Sequence, residues 1–325
     1  MNLMFNYKNL HRRNLSSLSK IKSKINIKLI ITLFCLIFFG SSIYRNFDDL
    51  SNQIINLREV LWLLGGVLFS SLSIIINAYA WKFLINSIGC DSSKLNIIKL
   101  FLNTNIYKYV PGGVWHFVSR YNALRLEFSI EKSLESILLE PLLMTVAGLF
   151  FLPFGRFNLS IYILCWSSTL IFLTGFRGFI IKNLKAMKAS IFNRSDKYNT
   201  IDSVQNKYNT TVKISYPYKA LFVEIMFILF RFLGFFCCLK AFFIGGSLIS
   251  LSQLISSFSL AWIVGLIVPA APGGVGVFES VVLFAIGSQL PEAPLLVSLL
   301  FYRLVAMISD ILSSSIYPVR RLLKV

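Results

Sequence analysis

Six charged side chains lie within long apolar stretches of this sequence, and they are its candidates for chemistry. They are Glu140, Glu224, Arg231, Glu279, Arg303 and Asp310. A charged group at the centre of a membrane costs roughly 2.5–3.5 kcal/mol on insertion scales, so each should be paired or should face a water-filled cavity. Glu224 and Arg231 lie two turns apart on one predicted helix, about 10 Å of rise, which is too far for a direct ion pair. Arg303 and Asp310 have the same spacing, so we expect their partners on other helices.

Two interpretations of these charges stay open. In the first, they are structural ion pairs that lock a helix bundle together. In the second, Arg120, Glu140, Glu279 and Arg303 line a substrate site, where the planar donor fork of arginine would bind a phosphate. Glu279 fits both, because a carboxylate near a helix N-terminus is favoured by the helix dipole. The same position would let it steer a cationic headgroup, or relay a proton, beside an anion held at that N-terminus.

Two backbone breaks are expected to position these side chains. The pattern P-G-G-V-x-x-F occurs twice, once beginning with Pro111, Gly112 and Gly113 and once with Pro272, Gly273 and Gly274. Proline removes a backbone donor and glycine weakens a helix, so both segments must find hydrogen bonds elsewhere. At membrane depth such backbone is tolerated only when it is buried in protein or lines a polar cavity. The repeat therefore predicts two equivalent, broken elements, each of which could be re-entrant.

The composition predicts an integral membrane protein. The chain has 325 residues, of which 56% are hydrophobic and 14% are charged, with a mean hydropathy of +0.70. Its net charge of +18 comes mainly from Lys and Arg between the apolar runs. That distribution is typical of contact with anionic lipid headgroups and of cytoplasmic loops, and it disfavours nucleic-acid binding. We expect an all-α, polytopic fold with about eight transmembrane helices, in the cytoplasmic (inner) membrane and with both termini cytoplasmic.

Charge and hydropathy divide the chain into four regions. Residues 1–28 form a basic cytoplasmic segment, 29–176 a first membrane half, 177–219 a basic amphipathic helix and linker, and 220–325 a second membrane half. The predicted spans are about 29–44, 60–80, 136–152, 159–176, 220–243, 248–268, 274–290 and 295–317. A signal peptide is the alternative for the first of these. Residues 274–290 either span or re-enter, and 95–110 are too polar for a lipid-facing span.

Several kinds of chemistry are disfavoured by the residues available. The histidines are His11 and His116, and the five cysteines show no metal-type spacing, so we expect neither a metal nor a cofactor. The cysteines fit packing positions in apolar runs. No nucleophile–base pair or acid motif with a known spacing is visible, so we expect that the chain is not an enzyme.

The chain resembles the membrane region of lysylphosphatidylglycerol synthases and the related stand-alone flippase-like membrane proteins. The matching segments are Tyr109–Trp115, Arg120, Glu140, Pro269–Glu279 and Tyr302–Leu304. Two positions depart from the family pattern, since Pro141 and Phe278 stand where relatives often carry arginine. A complete synthase continues into a soluble aminoacyl-transfer domain, which this sequence does not include. The resemblance therefore implies a flippase-like membrane module and argues against lysyl transfer by this chain.

Three functions follow from the residues and the resemblance together. The first is movement of a lipid, or a lipid-linked headgroup, between leaflets, with anionic or glycosylated lipids as partners. The second is an accessory membrane subunit that holds a separate soluble glycosyl- or aminoacyl-transferase through the basic loop 177–219. The third, a membrane-embedded enzyme acting on a lipid, has the least support. Neutralising Glu279 or Arg303 while leaving the loop intact separates the first two.

Overall fold

The computed structural model describes residues 44, 56–93, 95–110, 114–155, 159–172, 215–243, 249–268 and 276–316, and regular structure in these residues is helical. The α-helices are α1 (Leu57–Ser87), α2 (Ile97–Asn105), α3 (Trp115–Leu124), α4 (Ile130–Phe151), α5 (Leu159–Ser167), α6 (Tyr218–Phe242), α7 (Leu251–Ile267), α8 (Val277–Ile286) and α9 (Glu292–Ser315). Short 3-10 turns cover Ile106–Tyr109, Leu152–Gly155 and Ser168–Phe172. The predicted all-α class is confirmed.

Among the described residues, four helices are long and apolar enough to cross a membrane. They are α1, α4 together with the 3-10 turn that follows it, α6 and α9. They correspond to the predicted spans at 60–80, 136–152, 220–243 and 295–317, so the chain is a polytopic helical membrane protein. The predicted span at 29–44 lies outside the described residues except for its last position. The sidedness of the termini stays a prediction.

The predicted span at 159–176 differs from the structure. The α-helix ends at Ser167, after nine residues, and continues as a 3-10 turn to Phe172. Here Ser167 and Thr169 donate their hydroxyls to backbone carbonyls three residues earlier, at 2.9 and 2.8 Å. Such local hydrogen bonds compete with the regular helical ladder. Within its described part, the predicted span is therefore a short α-helix followed by a 3-10 turn, and residues 173–176 lie outside the described residues.

Two further apolar helices in the second half are shorter than the four spans. The first, α7, has 17 residues, and α8 has 10. At 1.5 Å per residue, α8 is about 15 Å long, roughly half of a bilayer core. Of the two predicted alternatives for residues 274–290, a span or a re-entrant element, the length of α8 favours the re-entrant one. Both Pro-Gly-Gly elements, 111–113 and 272–274, lie outside the described residues, but α3 and α8 begin directly beyond them.

The central helix of the bundle is α6, which packs against α1, α4 and α9. Its contact with α1 is the most extensive and depends on small residues. A Cβ added at Gly234 of α6 would lie 2.3 Å from the Ser70 hydroxyl and 3.3 Å from the Gly66 carbonyl oxygen on α1. A larger residue at Gly234 would therefore force the Ser70 side chain to shift. Because α6 follows the basic loop and α1 precedes it, the two predicted membrane halves share one core; the region boundaries themselves stay a prediction.

Short helices cover one end of this core. Both α1 and α9 contact α2, which in turn contacts α3. Their apolar side chains join the large residues Trp81, Phe101 and Leu139 in one buried cluster. The polar segment at 95–110 therefore contains a helix packed against the bundle, which agrees with the prediction that it is too polar for a lipid-facing span. This packing brings its polar side chains to the charges of the long helices.

Candidate functional site

Among the described residues, buried charges come together between helices in three groups. The first contains Arg120 and Glu140, the second contains Arg303 and Glu279, and the third is built around Asp310. In each group the partners come from different helices, as the sequence analysis expected. Burying a charge is costly unless a partner and hydrogen bonds compensate it, so these contacts fix how the helices sit together.

The first group joins α3 to α4. Arg120 is 1% exposed, and its Nη1 donates to Glu140 Oε1. Its Nε donates to the Thr104 hydroxyl of α2 at 3.0 Å. The guanidinium also lies over the Phe101 ring, 3.9 Å from the centroid, and 5.1 Å from that of Trp81. Arg120 is therefore a desolvated cation enclosed by the neighbouring helices α1, α2 and α4.

Glu140 and Glu224 are the acidic groups of this region. Glu140 lies directly before Pro141, inside α4, and Glu224 lies in the second turn of α6. Glu140 Oε2 and Glu224 Oε1 are buried and have no hydrogen-bond partner among the described residues. The Arg120 guanidinium contacts Glu140 through Oε1, so Glu140 Oε2 and Glu224 Oε1 are buried acceptors without a donor among the described residues.

The second group lies where α8 begins. Gly276, the residue before α8, has a φ of 86°, which glycine adopts without strain. Its backbone N–H donates to Glu279 Oε2 at 2.8 Å, so the carboxylate caps its own helix. Glu279 is fully buried and accepts from Arg303 Nε at Oε1 and from Nη2 at Oε2, the latter at 3.2 Å. The two-pronged contact ties α8 to α9.

Unlike Arg120, Arg303 is partly accessible. Its side chain is 22% exposed although its carboxylate partner is completely buried. The guanidinium lies 5.5 Å from the centroid of the Phe278 ring. Arg303 therefore combines a fully buried carboxylate partner with a side chain that is accessible in part.

The third group ties α9 to α2 and the 3-10 turn after it. Asp310 is fully buried and accepts from Asn105 Nδ2 at 2.8 Å and from the Tyr109 hydroxyl. The Lys108 ammonium lies 2.8 Å from Asp310 Oδ2. Asp310 could be singled out from the sequence as an intramembrane charge, but its pairing with these three residues could not. Their signal was present, because polar residues interrupted an apolar segment, yet nothing in the sequence pointed to Asp310 as their common acceptor.

Arg231 differs from the other buried cations. It is 5% exposed, and its Nε and Nη1 have no acceptor among the described residues. The Tyr302 hydroxyl of α9 is buried beside Arg231 and interacts with its guanidinium. The Arg231 guanidinium lies 5.8 Å from the Trp262 ring centroid. The structural ion pairs that were one interpretation of Glu224 and Arg231 are therefore not found within the described residues.

The environment also shifts the pKa values of groups outside the four spans. Burial lowers the pKa of Lys108, and Asp310 partly offsets this. Burial, and then the Asp310 charge, raise the pKa of Tyr109. Burial lowers the pKa of His116 to about 3, and the Arg120 and Lys108 charges act in the same direction. His116 is therefore neutral at physiological pH, which suits a packing role better than a proton switch.

The four predicted substrate-binding residues thus form two pairs, Arg120 with Glu140 and Arg303 with Glu279. A role in substrate binding is a prediction for all four. Pro141 and Phe278, the departures from the family pattern, do not prevent either pair from forming. Within the described residues, no group of three or more His, Cys, Asp or Glu side chains could hold a metal ion. The expectation of no cofactor stays a prediction.

The comparison with protein families matches the model described as the lysylphosphatidylglycerol synthase TM region, over residues 25–313. The chain belongs to this family. The match covers the first membrane half, the basic loop, the second membrane half as far as residue 313 and all four predicted site residues, and it confirms the resemblance drawn from the sequence. A comparison with curated proteins found no match.

Proposed function

We propose that this chain moves a lipid with an anionic or glycosylated headgroup between the leaflets of the cytoplasmic membrane. In this proposal the headgroup passes between the two Pro-Gly-Gly elements, beside Arg120, Glu140, Glu279 and Arg303. Both termini would be cytoplasmic, and the chain would act as a transporter and not as an enzyme. The family description supports a lipid-related role, because it refers to a synthase of lysylphosphatidylglycerol.

The observation that carries the proposal is the pairing of a fully buried carboxylate with a partly exposed arginine. Glu279 is held by α8 through the Gly276 N–H, so it stays in place whether or not Arg303 is bound. Arg303 retains 22% exposure of its side chain. A phosphate that reaches it would meet a planar donor fork of fixed direction, which binds oxyanions with good geometry. Intramembrane charges of this kind commonly mark substrate pathways.

Such an arrangement could carry a headgroup through an apolar bundle in a simple way. The headgroup would interact with Arg303 while Glu279 keeps the guanidinium oriented. Release would return Arg303 to both carboxylate oxygens, so the positive charge is never left without a partner in the membrane. The Arg120–Glu140 pair, buried between α3 and α4, would serve as the corresponding group in the other half.

The experiment is leaflet exchange in liposomes that contain the purified full-length protein and headgroup-labelled anionic or glycosylated lipids. The variants are Glu279→Gln and Arg303→Ala. Each loses a charged hydrogen bond of about 1.5–3 kcal/mol, so we expect exchange to slow by about tenfold or more. Matched controls are Glu292→Gln and Arg58→Ala, because both side chains are exposed. These controls should exchange lipid at the wild-type rate.

Absence of exchange by folded wild-type protein with every lipid tested would contradict the proposal. It would favour the accessory-subunit interpretation, in which the basic loop 177–219 holds a soluble transferase. A pull-down experiment that uses the loop 177–219 as bait would then be the next measurement. Exchange that is equal in wild type and in both site variants would instead mean that lipid moves by a route that does not involve Glu279 or Arg303.

A further inference from the structure

Lys108 and Asp310 form a pair that is built like the pair of Arg303 and Glu279. In each pair the carboxylate is fully buried and the cation is partly accessible, with 26% exposure of the Lys108 side chain and 22% of the Arg303 side chain. Each pair is also adjacent in sequence to a Pro-Gly-Gly element, since Lys108 precedes the first element by three residues and Glu279 follows the second by five. Lys108 has no role in the transport proposed above.

The carboxylate of each pair keeps its position without help from the cation. Asp310 accepts from Asn105 Nδ2 at Oδ1, over 2.8 Å, and from the Tyr109 hydroxyl at Oδ2. Two donors therefore remain on Asp310 if Lys108 turns to another acceptor, and a buried carboxylate needs such donors. Glu279 is held in the same way by the backbone N–H of the residue that precedes α8. Each cation can therefore interact with a second anion while the carboxylate stays compensated.

The Lys108 ammonium is suited to such a second interaction. Its Nζ lies 2.8 Å from Asp310 Oδ2 and 5.4 Å from the centroid of the Tyr109 ring. An ammonium group carries three N–H donors on a flexible stem, so one carboxylate oxygen does not use all of them. The group is thus anchored by a carboxylate and an aromatic ring while part of the side chain stays accessible. A phosphate oxygen that reaches it would form a charge-assisted hydrogen bond.

The two pairs are connected by α9. Arg303 and Asp310 are seven residues apart on this helix, which places them on the same side and about 10 Å apart along its axis. Neighbouring positions on α9 carry exposed apolar side chains, namely Leu304, Met307, Ile308 and Ile311. A phospholipid would therefore find two cations for its headgroup and an adjacent apolar surface for its acyl chains, whereas a free oxyanion would use only the cations.

We propose that Lys108 is a second headgroup-binding cation, specific for phospholipids whose headgroup carries a net negative charge. The anionic group contacts Lys108 at one end of the accessible part of α9 and Arg303 at the other, and it moves between them during transport. At each position a buried carboxylate compensates the cation when the headgroup leaves. The role of Lys108 in transport rests on the lipid movement proposed above, whereas the binding of anionic lipid by Lys108 does not.

The first test measures lipid binding to the purified full-length protein in detergent by native mass spectrometry. The probes are phosphatidylglycerol, which carries one net negative charge, and zwitterionic phosphatidylcholine. We expect Lys108→Gln to weaken phosphatidylglycerol binding by about tenfold, which corresponds to one charge-assisted hydrogen bond, and to leave phosphatidylcholine binding unchanged. Lys108→Arg should retain binding because it keeps the charge. Lys219→Gln, at an exposed lysine that begins α6, should bind both lipids like the wild type.

A matched variant separates binding by Lys108 from its contribution to the fold. Asn105→Leu also removes a hydrogen bond to Asp310 but leaves the cation in place, so it should lower the Tm and retain the preference for phosphatidylglycerol. Equal binding by the wild type and Lys108→Gln would overturn the proposal. An equal loss of preference in Asn105→Leu would do the same, because Lys108 would then act through the packing of α2. Displacement of phosphatidylglycerol by inorganic phosphate would assign the cation to a free oxyanion and would also overturn it.

The second test uses leaflet exchange in liposomes and reads the ratio of the phosphatidylglycerol rate to the phosphatidylcholine rate. We expect this ratio to fall by about tenfold in Lys108→Gln, because only the anionic headgroup loses a contact, and to be retained in Lys108→Arg and Asn105→Leu. A change of both rates by the same factor would contradict a role of Lys108 in selectivity. Exchange of neither lipid by wild-type protein that passes the binding test would refute the proposed transport and leave the Lys108 site standing.

Discussion

The Arg120–Glu140 pair permits a quantitative test of how the buried charges hold this bundle together. Replacing Arg120 by Met keeps an unbranched apolar chain between α3 and α4 but removes the cation. The change breaks the contact with Glu140, the 3.0 Å hydrogen bond to Thr104 and the stacking on Phe101. Breaking a buried ion pair by removing one partner costs about 3–5 kcal/mol, because the remaining charge is left uncompensated.

The cost should be recovered in part by a second substitution. In Arg120→Met with Glu140→Gln, no charge of the pair remains, so the loss should be smaller than in Arg120→Met alone. We expect a coupling energy of about 2 kcal/mol, within the range of about 0.5–3 kcal/mol measured for residues in direct contact. The four buried cysteines of the described residues, Cys90, Cys165, Cys237 and Cys238, permit the measurement. A thiol-reactive dye would react with these cysteines as they become exposed, while detergent micelles of mixed composition unfold the protein.

The outcome has a clear criterion. If the two single substitutions add to give the double one within about 0.3–0.5 kcal/mol, the residues do not interact energetically and the reasoning is wrong. Protein that unfolds irreversibly would be compared through unfolding rates at one detergent concentration. An exposed pair of substitutions, Arg58→Met with Glu292→Gln, should be additive and serves as the control.

Three further outcomes are expected from other parts of the bundle. Asp310→Asn should lower the free energy of unfolding by about 2 kcal/mol, a value reduced because the Lys108 side chain is 26% exposed. Hydrogen exchange of the backbone amides of α2 should then become faster. Gly234→Ala should cost about 1–3 kcal/mol through overpacking against α1, and Ser70→Ala should restore part of the melting temperature, since it removes the hydroxyl 2.3 Å from the new Cβ. Because His116 has a lowered pKa, stability should fall as pH drops from about 6.5 towards about 3, and unfolding curves of His116→Phe should show a smaller fall.

The sequence predicted the class of fold and the kind of contact, but not the identity of the partners. Apolar runs of sufficient length locate α1, α4, α6 and α9, because a bilayer of fixed thickness requires such runs. Because an isolated charge inside a membrane is costly, the sequence also predicted that buried carboxylates and guanidinium groups would be paired. Asp310, however, accepts hydrogen bonds from Asn105 and Tyr109, which lie 205 and 201 residues earlier in the chain. Only the packing of α2 against α9 selects them.

The lengths of the helices and the burial of the remaining charged groups could also not be predicted from the sequence. The apolar residues at 274–290 continue past the end of α8, so hydropathy alone overestimated it. Glu224 and Arg231 share one face of α6, and the spacing correctly excluded a bond between them. It could not show that both would be buried with unused polar atoms, because that depends on what the facing helices present. The structure shows how the predicted site residues are paired and buried, and the exchange assay tests their proposed role in transport.

The close contact between α1 and α6 has a consequence for how the protein is made. The two helices meet at Gly66 and Gly234, yet 130 residues separate the end of α1 at Ser87 from the start of α6 at Tyr218. At about 5–20 residues per second, synthesis of that interval takes roughly 7–26 s. During this time α1 is in the membrane without the partner that fills its small-residue face. Assembly of the core is therefore delayed until the second half emerges from the ribosome, and interruption of translation after the basic loop would leave α1 exposed to quality-control proteases.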